Sequence, residues 1–345
     1  MTVQLEQTHV GPWSAIAISN DAMRVVVLPE VGGKIVSLKH VASGREWLWR
    51  NPHLPIRRPP THVTDYGQFD SGGWDEVFPT ITPCLVPNTA WGDRPIVDHG
   101  ELWHRPWQIV AANCVANHHA ELALAVDEQD SPFRFERTLV LSDGTTPLEV
   151  EYELKNRTEF PMPYIWAAHP LLAIEPGDLI RLPHGTSMRT STRLGLAIID
   201  TSFRWPFIPI HTGEAIDLSS VWDCGAGCAI KLFAEDITPG SVEIVAFRTR
   251  TFLRITFQPN GVPHLGLWLN YGGWSGISGP AYYNIGVEPT TTPLDDLQTA
   301  VSQNAAFVLQ SGETRRWRVE VALGIERSGD RADEQPPNAP VLKST

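Results

Sequence analysis

Charged side chains are scarce in this chain: Asp, Glu, Lys and Arg make up 19% of its 345 residues, against about a quarter in an average soluble protein. Cysteine is scarcer still, with four residues at 84, 114, 224 and 228. So few, so irregularly spaced, exclude a disulfide framework, and the thiols are expected to be free. Cys224 and Cys228 flank Gly-Ala-Gly without a second pair or a nearby histidine, which is not a zinc signature. Apolar runs are short, broken by charge, Pro or Gly well before the roughly 18 residues a membrane helix needs. Positive charge is also in deficit, with 27 Lys plus Arg against 39 Asp plus Glu and a net charge of −12. Such a chain is repelled by phosphate backbones and anionic lipid, so neither nucleic acid nor a membrane is expected as partner. The first residues, MTVQLEQTH, lack the basic and apolar regions of a secretory signal, which makes the cytoplasm the expected location. The Gly72-Gly73 and Gly272-Gly273 pairs lack the strand-to-helix setting and the Lys-Ser/Thr of a phosphate loop.

What is present points to β structure. Gly and Pro together supply 56 residues (27 plus 29), a turn-rich composition. Residues 148 to 155 alternate without error, with Leu148, Val150, Tyr152 and Leu154 on one side and Glu149, Glu151, Glu153 and Lys155 on the other, which predicts a half-buried strand. Shorter runs of the same kind recur from Met23 to Val321. Ser142-Asp143-Gly144 reads as a hairpin turn, and Ser311-Gly312-Glu313-Thr314 as the turn joining the last two strands. One short helix is expected, over Asp295 to Ser302. The fold class is therefore all-β, one large antiparallel β-sandwich over residues 1–326, with a disordered tail over 327–345, where three prolines and low hydrophobicity leave nothing to bury. Thirteen tryptophans exceed what packing was expected to require, and surplus indoles form flat platforms on which sugar rings sit.

Four segments place proton-transferring side chains beside Gly, Pro or Trp. In the first, Trp74, Asp75 and Glu76 follow a flexible Gly pair, suggesting a loop at a sheet edge. The second, Asp98 to Trp107, is dense in imidazole and indole. The third ends an apolar strand at His169-Pro170, and the fourth ends another at Glu288-Pro289. A carboxylate between Ile285-Gly286-Val287 and Pro289 is expected to be partly desolvated, which raises its pKa, and desolvation acts with the opposite sign on His169. Each also has an ordinary reading: Glu288 as half of an ion pair with an arginine, His169 and His99 as backbone-bonded histidines, Trp74, Trp103 and Trp268 as core, Asp75 and Glu76 as solvated charges.

Taken in order, these segments resemble the aldose 1-epimerase (galactose mutarotase-like) superfamily. The likeness rests on His99-Gly100…Trp103…Trp107, on His169-Pro170, on Glu288-Pro289 and on Leu265-Gly-Leu-Trp268, and spans about residues 15 to 325. It implies a large twisted β-sandwich, a supersandwich with few short helices, holding a sugar on the concave face of one sheet. By that likeness Glu288 is the catalytic base, His169 the acid and His99 an assisting hydrogen-bond partner, and no cofactor or metal is needed. Trp74, Asp75, Trp103 and Trp268 are the further candidates for touching a small-molecule sugar.

Two departures from the family pattern bear on the substrate. Trp103 stands where an arginine often binds phosphate, which favours a neutral or carboxylated sugar over a phosphosugar. The aspartate that grips sugar hydroxyls in galactose-active members has no obvious counterpart, Gln258 and His264 being the candidates. Two other functions stay open at this point: a non-catalytic carbohydrate-binding module, and a sugar isomerase or lyase in the same cleft.

Overall fold

The computed structural model of the protein describes residues 3–60, 65–115, 118–144, 147–198, 202–211, 213–276 and 279–326. The tail expected over 327–345 lies outside the described residues.

Two large antiparallel sheets face each other. The first has eleven strands in the spatial order Gln4–Val10, Trp13–Ser19, Met23–Leu28, Lys34–His40, Trp74–Val77, Ala167–Leu172, Tyr283–Thr290, His264–Tyr271, Cys228–Ala234, Ser187–Leu194 and Ser202–Arg204. The second has eight: Leu179–Arg181, Ser241–Val245, Thr251–Phe257, Thr314–Ile325, Leu148–Asn156, Phe133–Ser142, His119–Val126 and Gln108–Val115. Their inner faces close over one hydrophobic core that takes Ile35, Trp74 and Trp166 from one side and Phe135, Tyr152 and Val319 from the other.

The strands form where side chains alternate. Phe133–Ser142 buries every second residue and leaves the others half-exposed, and Leu148–Asn156 repeats the pattern, because successive residues of a strand point to opposite faces. The expected helix is present as Leu297–Ser302, with the Asp296 carboxylate accepting from the Thr299 N–H at its start, which satisfies a backbone donor that has no partner within the helix.

Two expectations need correction. The segment Ser311 to Thr314 does not join a hairpin. Phe307–Leu309 pairs with Met162–Tyr164 in a separate two-stranded sheet, while Thr314–Ile325 belongs to the eight-stranded one. The turn therefore carries the chain from one sheet to another. Nor is Trp74-Asp75-Glu76 a loop at an edge. It is a buried strand inside the large sheet, paired with Lys34–His40 on one side and Ala167–Leu172 on the other.

Tryptophan is mostly core. Nine of the thirteen are buried, and of the others Trp13, Trp49 and Trp268 are half-buried and Trp274 is exposed.

Candidate active site

Register builds the site. Ile35 pairs with Trp74, Asp75 with His169, Leu171 with Gly286, and Glu288 with Gly266. Because faces alternate along each strand, these pairings put Lys34, Asp75, His169 and Glu288 in one row across four neighbouring strands, on the face turned away from the core. Glu288 is 1% exposed, His169 8% and Asp75 2%.

At the centre, His169 Nε2 lies 3.9 Å from Glu288 Oε1. The other carboxylate oxygen, Oε2, is bonded to the ammonium of Lys231. Oε1, His169 Nδ1 and Asp75 Oδ1 are buried and have no hydrogen-bond partner, which leaves polar capacity open at one point of the sheet. Two glycines leave room for the Glu288 carboxylate. A Cβ at Gly286 would stand 2.8 Å from Oε1, and one at Gly266 3.1 Å from Oε2.

A second group flanks His169. Asp75 Oδ2 accepts from Lys34 Nζ at 2.6 Å and from the Tyr66 hydroxyl at 2.8 Å. The Tyr66 ring stacks on His99 at 4.0 Å and meets His169 edge-on at 5.9 Å, and the two imidazoles are 5.2 Å apart. Asp98 Oδ1 sits 2.9 Å from His99 Nδ1 and so orients the ring. The His99-Gly100 step has a backbone cause: Gly100 bridges to Phe78, and a Cβ there would fall 2.0 Å from the Phe78 carbonyl oxygen.

Electrostatics divide the roles. Burial, then the neighbouring His99, Lys231 and Lys34, hold the His169 pKa well below the ordinary histidine value, as expected for a desolvated imidazole. Burial opposes charge on Lys231, but Glu288 and Asp295 outweigh it and move its pKa up, so it stays an ammonium. Burial, Asp75 and Asp70 push the Tyr66 hydroxyl well above its usual range, which keeps it a donor.

The expected site residues divide into two groups. His99, His169, Asp75 and Glu288 come together. Trp268 joins them, its Cβ facing the Gly286 gap beside Glu288. Trp74 does not: it points to the opposite face, 0% exposed in the core, because it neighbours Asp75 and strand residues alternate. Trp103 is buried at 3%, donates its indole N–H to Asp98 O at 2.9 Å and meets the Tyr66 ring edge-on. It backs the His99–Tyr66 stack from behind. Glu76, far from solvated, lies between the sheets and accepts from Arg137, Tyr152 and Trp166 at 3.0–3.1 Å. Burial raises its pKa to about 7 against the pull of Arg137 and the two neutral donors.

Sequence reasoning missed Lys34, Lys231 and Asp295. The expected arginine partner of Glu288 is instead a lysine, with Asp295 Oδ1 3.8 Å from the same ammonium. Trp49, Tyr282 and Trp274 were missed too, and make a run of ring contacts at 4.9–5.7 Å that ends on Trp268. Of the proposed aspartate substitutes, Gln258 shares a groove with Arg316 and Trp317 on the other sheet, and His264 accepts from the Asp236 N–H at 3.1 Å at the start of its strand. Among the described residues no group of three or more His, Cys, Asp or Glu is arranged to hold a metal ion.

A sequence profile for aldose 1-epimerase matches residues 14–195, more than half the chain. The protein belongs to the aldose 1-epimerase family. That match contains Lys34, Asp75, His99 and His169, while Lys231 and Glu288 lie beyond it. Solved structures extend the likeness of fold to the whole chain. A galactose mutarotase-like protein from Clostridium acetobutylicum superposes with a TM-score of 0.64 at 14% identity, over 94% of this chain and 99% of that one. A Synechocystis protein gives 0.62 at 15% identity, over 94% and 96%, and a galactose mutarotase-like protein from Lactobacillus casei gives 0.56 at 15% identity, over 90% and 100%. No curated protein sequence matches. In this member of the aldose 1-epimerase family, then, the fold's large sheet carries on one face an imidazole, a free carboxylate oxygen and a flanking half-buried indole.

Proposed function

We propose that the protein interconverts the anomers of an uncharged aldose through ring opening, with Glu288 as base and His169 as acid. The observation that carries this reading is the placement of Glu288 Oε1, unpartnered, 3.9 Å from His169 Nε2 on adjacent strands.

Ring opening moves one proton at each end of the C1–O5 bond. The Glu288 carboxylate takes the proton of the C1 hydroxyl, the oxygen's electron pair closes the C1=O bond, C1–O5 breaks, and O5 takes a proton from the His169 imidazolium. Rotation about C1–C2 turns the other carbonyl face toward O5. Reclosure runs the transfers backwards, with protonated Glu288 as acid and neutral His169 as base. The pair therefore works with one shared proton in both directions. His169 is held neutral in the free protein, so the working fraction grows as pH falls from neutrality.

Charge accounting supports an uncharged substrate. Lys34 is already bonded to Asp75, and Lys231 to Glu288. A uronate or phosphosugar would meet no unpaired lysine there, but would meet oxygens of Asp75 and Glu288 that accept no hydrogen bond. These oxygens suit sugar hydroxyls, which donate hydrogen bonds. Trp268 supplies an apolar ring face.

The deciding test is saturation-transfer NMR at the anomeric protons of a panel of neutral aldoses and uronic acids. Accelerated exchange for a neutral aldose, lost in Glu288→Gln with affinity retained, supports the reading; no acceleration across the panel overturns it. The neutral His169 and the lysine on Glu288 also suit a second reading, a site that binds a sugar without turning it over. Sugar-dependent line broadening with unchanged exchange in wild type and Glu288→Gln alike would select that one.

A further inference from the structure

We propose that Lys231 is a positioning residue for the base: by occupying Glu288 Oε2 it leaves Oε1, beside His169, as the one oxygen that takes the substrate proton. The inference rests on the epimerase reading above and adds a residue to it.

The geometry is specific. Lys231 stands on Cys228–Ala234 and Glu288 on Tyr283–Thr290, with His264–Tyr271 between them. Lys231 pairs with Trp268, while Glu288 pairs with Gly266, so the two side chains meet diagonally across the intervening strand. They meet over Gly266, where a Cβ would come 3.1 Å from Glu288 Oε2 and 3.4 Å from Lys231 Cε. Any larger residue at 266 would occupy the space in which the pair forms.

Two physical consequences follow. A glutamate's terminal torsion is broad and roughly two-fold, so an unrestrained carboxylate would present either oxygen to His169 and would turn between them. The ammonium breaks that equivalence. It also supplies the positive charge that a carboxylate 1% exposed requires if it is to keep the charged form, since burial opposes that form. The other titratable groups facing Glu288 are His169 on Ala167–Leu172 and Asp295 beyond the strand end, with Asp75 and Lys34 one strand further along the row. His169 is neutral, and Lys34 is committed to Asp75. Lys231 is thus the cation in contact with the base. Its ammonium, protonated between two carboxylates, is no nucleophile, which separates this role from Schiff-base chemistry.

The experiment compares wild type, Lys231→Met and Lys231→Arg by anomer-exchange NMR from pH 5 to 9, with thermal melts to confirm folding. The expected result is that Lys231→Met lowers kcat by about tenfold or more while KM changes little, as loss of orientation does. The acid limb of its kcat profile moves to higher pH, because the neighbouring cation that favours the charged base is gone, and Lys231→Arg restores both. A fall in kcat with an unmoved limb and no rescue by arginine overturns the proposal and leaves a packing role. Where Lys231→Met does not fold, Lys231→Gln, shorter and uncharged, is judged by the same criteria. A carboxyl carbon-13 titration of Glu288 in wild type and variant reads the same charge coupling without turnover. If wild type accelerates no aldose, the epimerase reading fails. An equal Glu288 titration in the two proteins defeats the Lys231 proposal whatever the activity.

Discussion

In the proposed mechanism Glu288 and His169 act only as a pair, so their substitutions are not expected to add. Glu288→Gln keeps shape and hydrogen bonding but removes the base. Its rate of anomer exchange is expected to fall by about 10²–10⁴-fold, the span of a general acid–base contribution, and His169→Asn made on top of it should cost little more. Gly286→Ala tests the space around the base. Its methyl would stand 2.8 Å from Glu288 Oε1 and must displace the carboxylate. The variant should lose activity comparably while retaining its melting temperature to within a few degrees, measured by calorimetry.

The same residues show what a sequence can disclose. His169-Pro170 and Glu288-Pro289 were legible because each sets a polar group in an apolar run, a conflict with burial that points to a purpose, although His169 lies inside its strand, which runs on to Leu172, and not at its end. Lys231 was not. It stands in Cys-Ala-Ile-Lys-Leu-Phe-Ala, where a single lysine reads as an outward-facing strand residue, and its partner is 57 positions away. Only the pairing register across three strands brings them into contact.

At the scale of elements, Trp74–Val77 divides its labour by face. Asp75 faces Lys34, Tyr66 and the His169 row, while Trp74 and Glu76 look into the core, where Glu76 and Arg137 form a pair both 0% exposed. Removing one partner strands a buried charge. Glu76→Ala is expected to destabilise the fold by about 3–5 kcal/mol, read by chemical denaturation. Arg137→Met together with Glu76→Leu, which removes both charges, should recover much of that loss. The composition pointed to this strand as a loop because two glycines precede it and two acids sit within it. The tertiary pairing on both sides overrode that local preference. Tryptophan misled in the same way: composition suggested a surplus for binding, but the core between the eleven and eight strands takes up eight of the rings, and Trp103 packs beside Tyr66. Trp49, Trp268 and Trp274, linked through Tyr282, are distinguished by position and by nothing local in the sequence.

At the scale of the whole molecule, the buried histidine ties stability to acidity. The His169 pKa is lowered by folding, so between the unfolded value of about 6.5 and the folded one, the unfolded chain binds a proton that the native chain does not. Stability then rises with pH through that window and is lost as pH falls through it. The limiting slope for one such group is about 1.4 kcal/mol per pH unit. Glu76, raised by folding to about 7, contributes with the opposite sign between its unfolded and folded values. The two overlap below 6.5, so His169 is isolated by difference. Between pH 7 and 5 the urea midpoint of wild type should fall relative to that of His169→Asn as the medium becomes more acidic, because only wild type carries the buried imidazole. Parallel curves would mean that His169 does not resist protonation.

The strand that bears Glu288 is inserted between Ala167–Leu172 and His264–Tyr271, so the chain must travel 119 residues before Glu288 meets His169. Closing so long a loop has an entropic cost that precedes any reward from the contact, and sheets assembled from distant segments form slowly. A nascent or refolding chain therefore has no early catalytic fragment. In a stopped-flow refolding experiment, the meander of sequence neighbours His119–Val126, Phe133–Ser142 and Leu148–Asn156 gains structure first. Competence returns only with the final docking event, as a single late step.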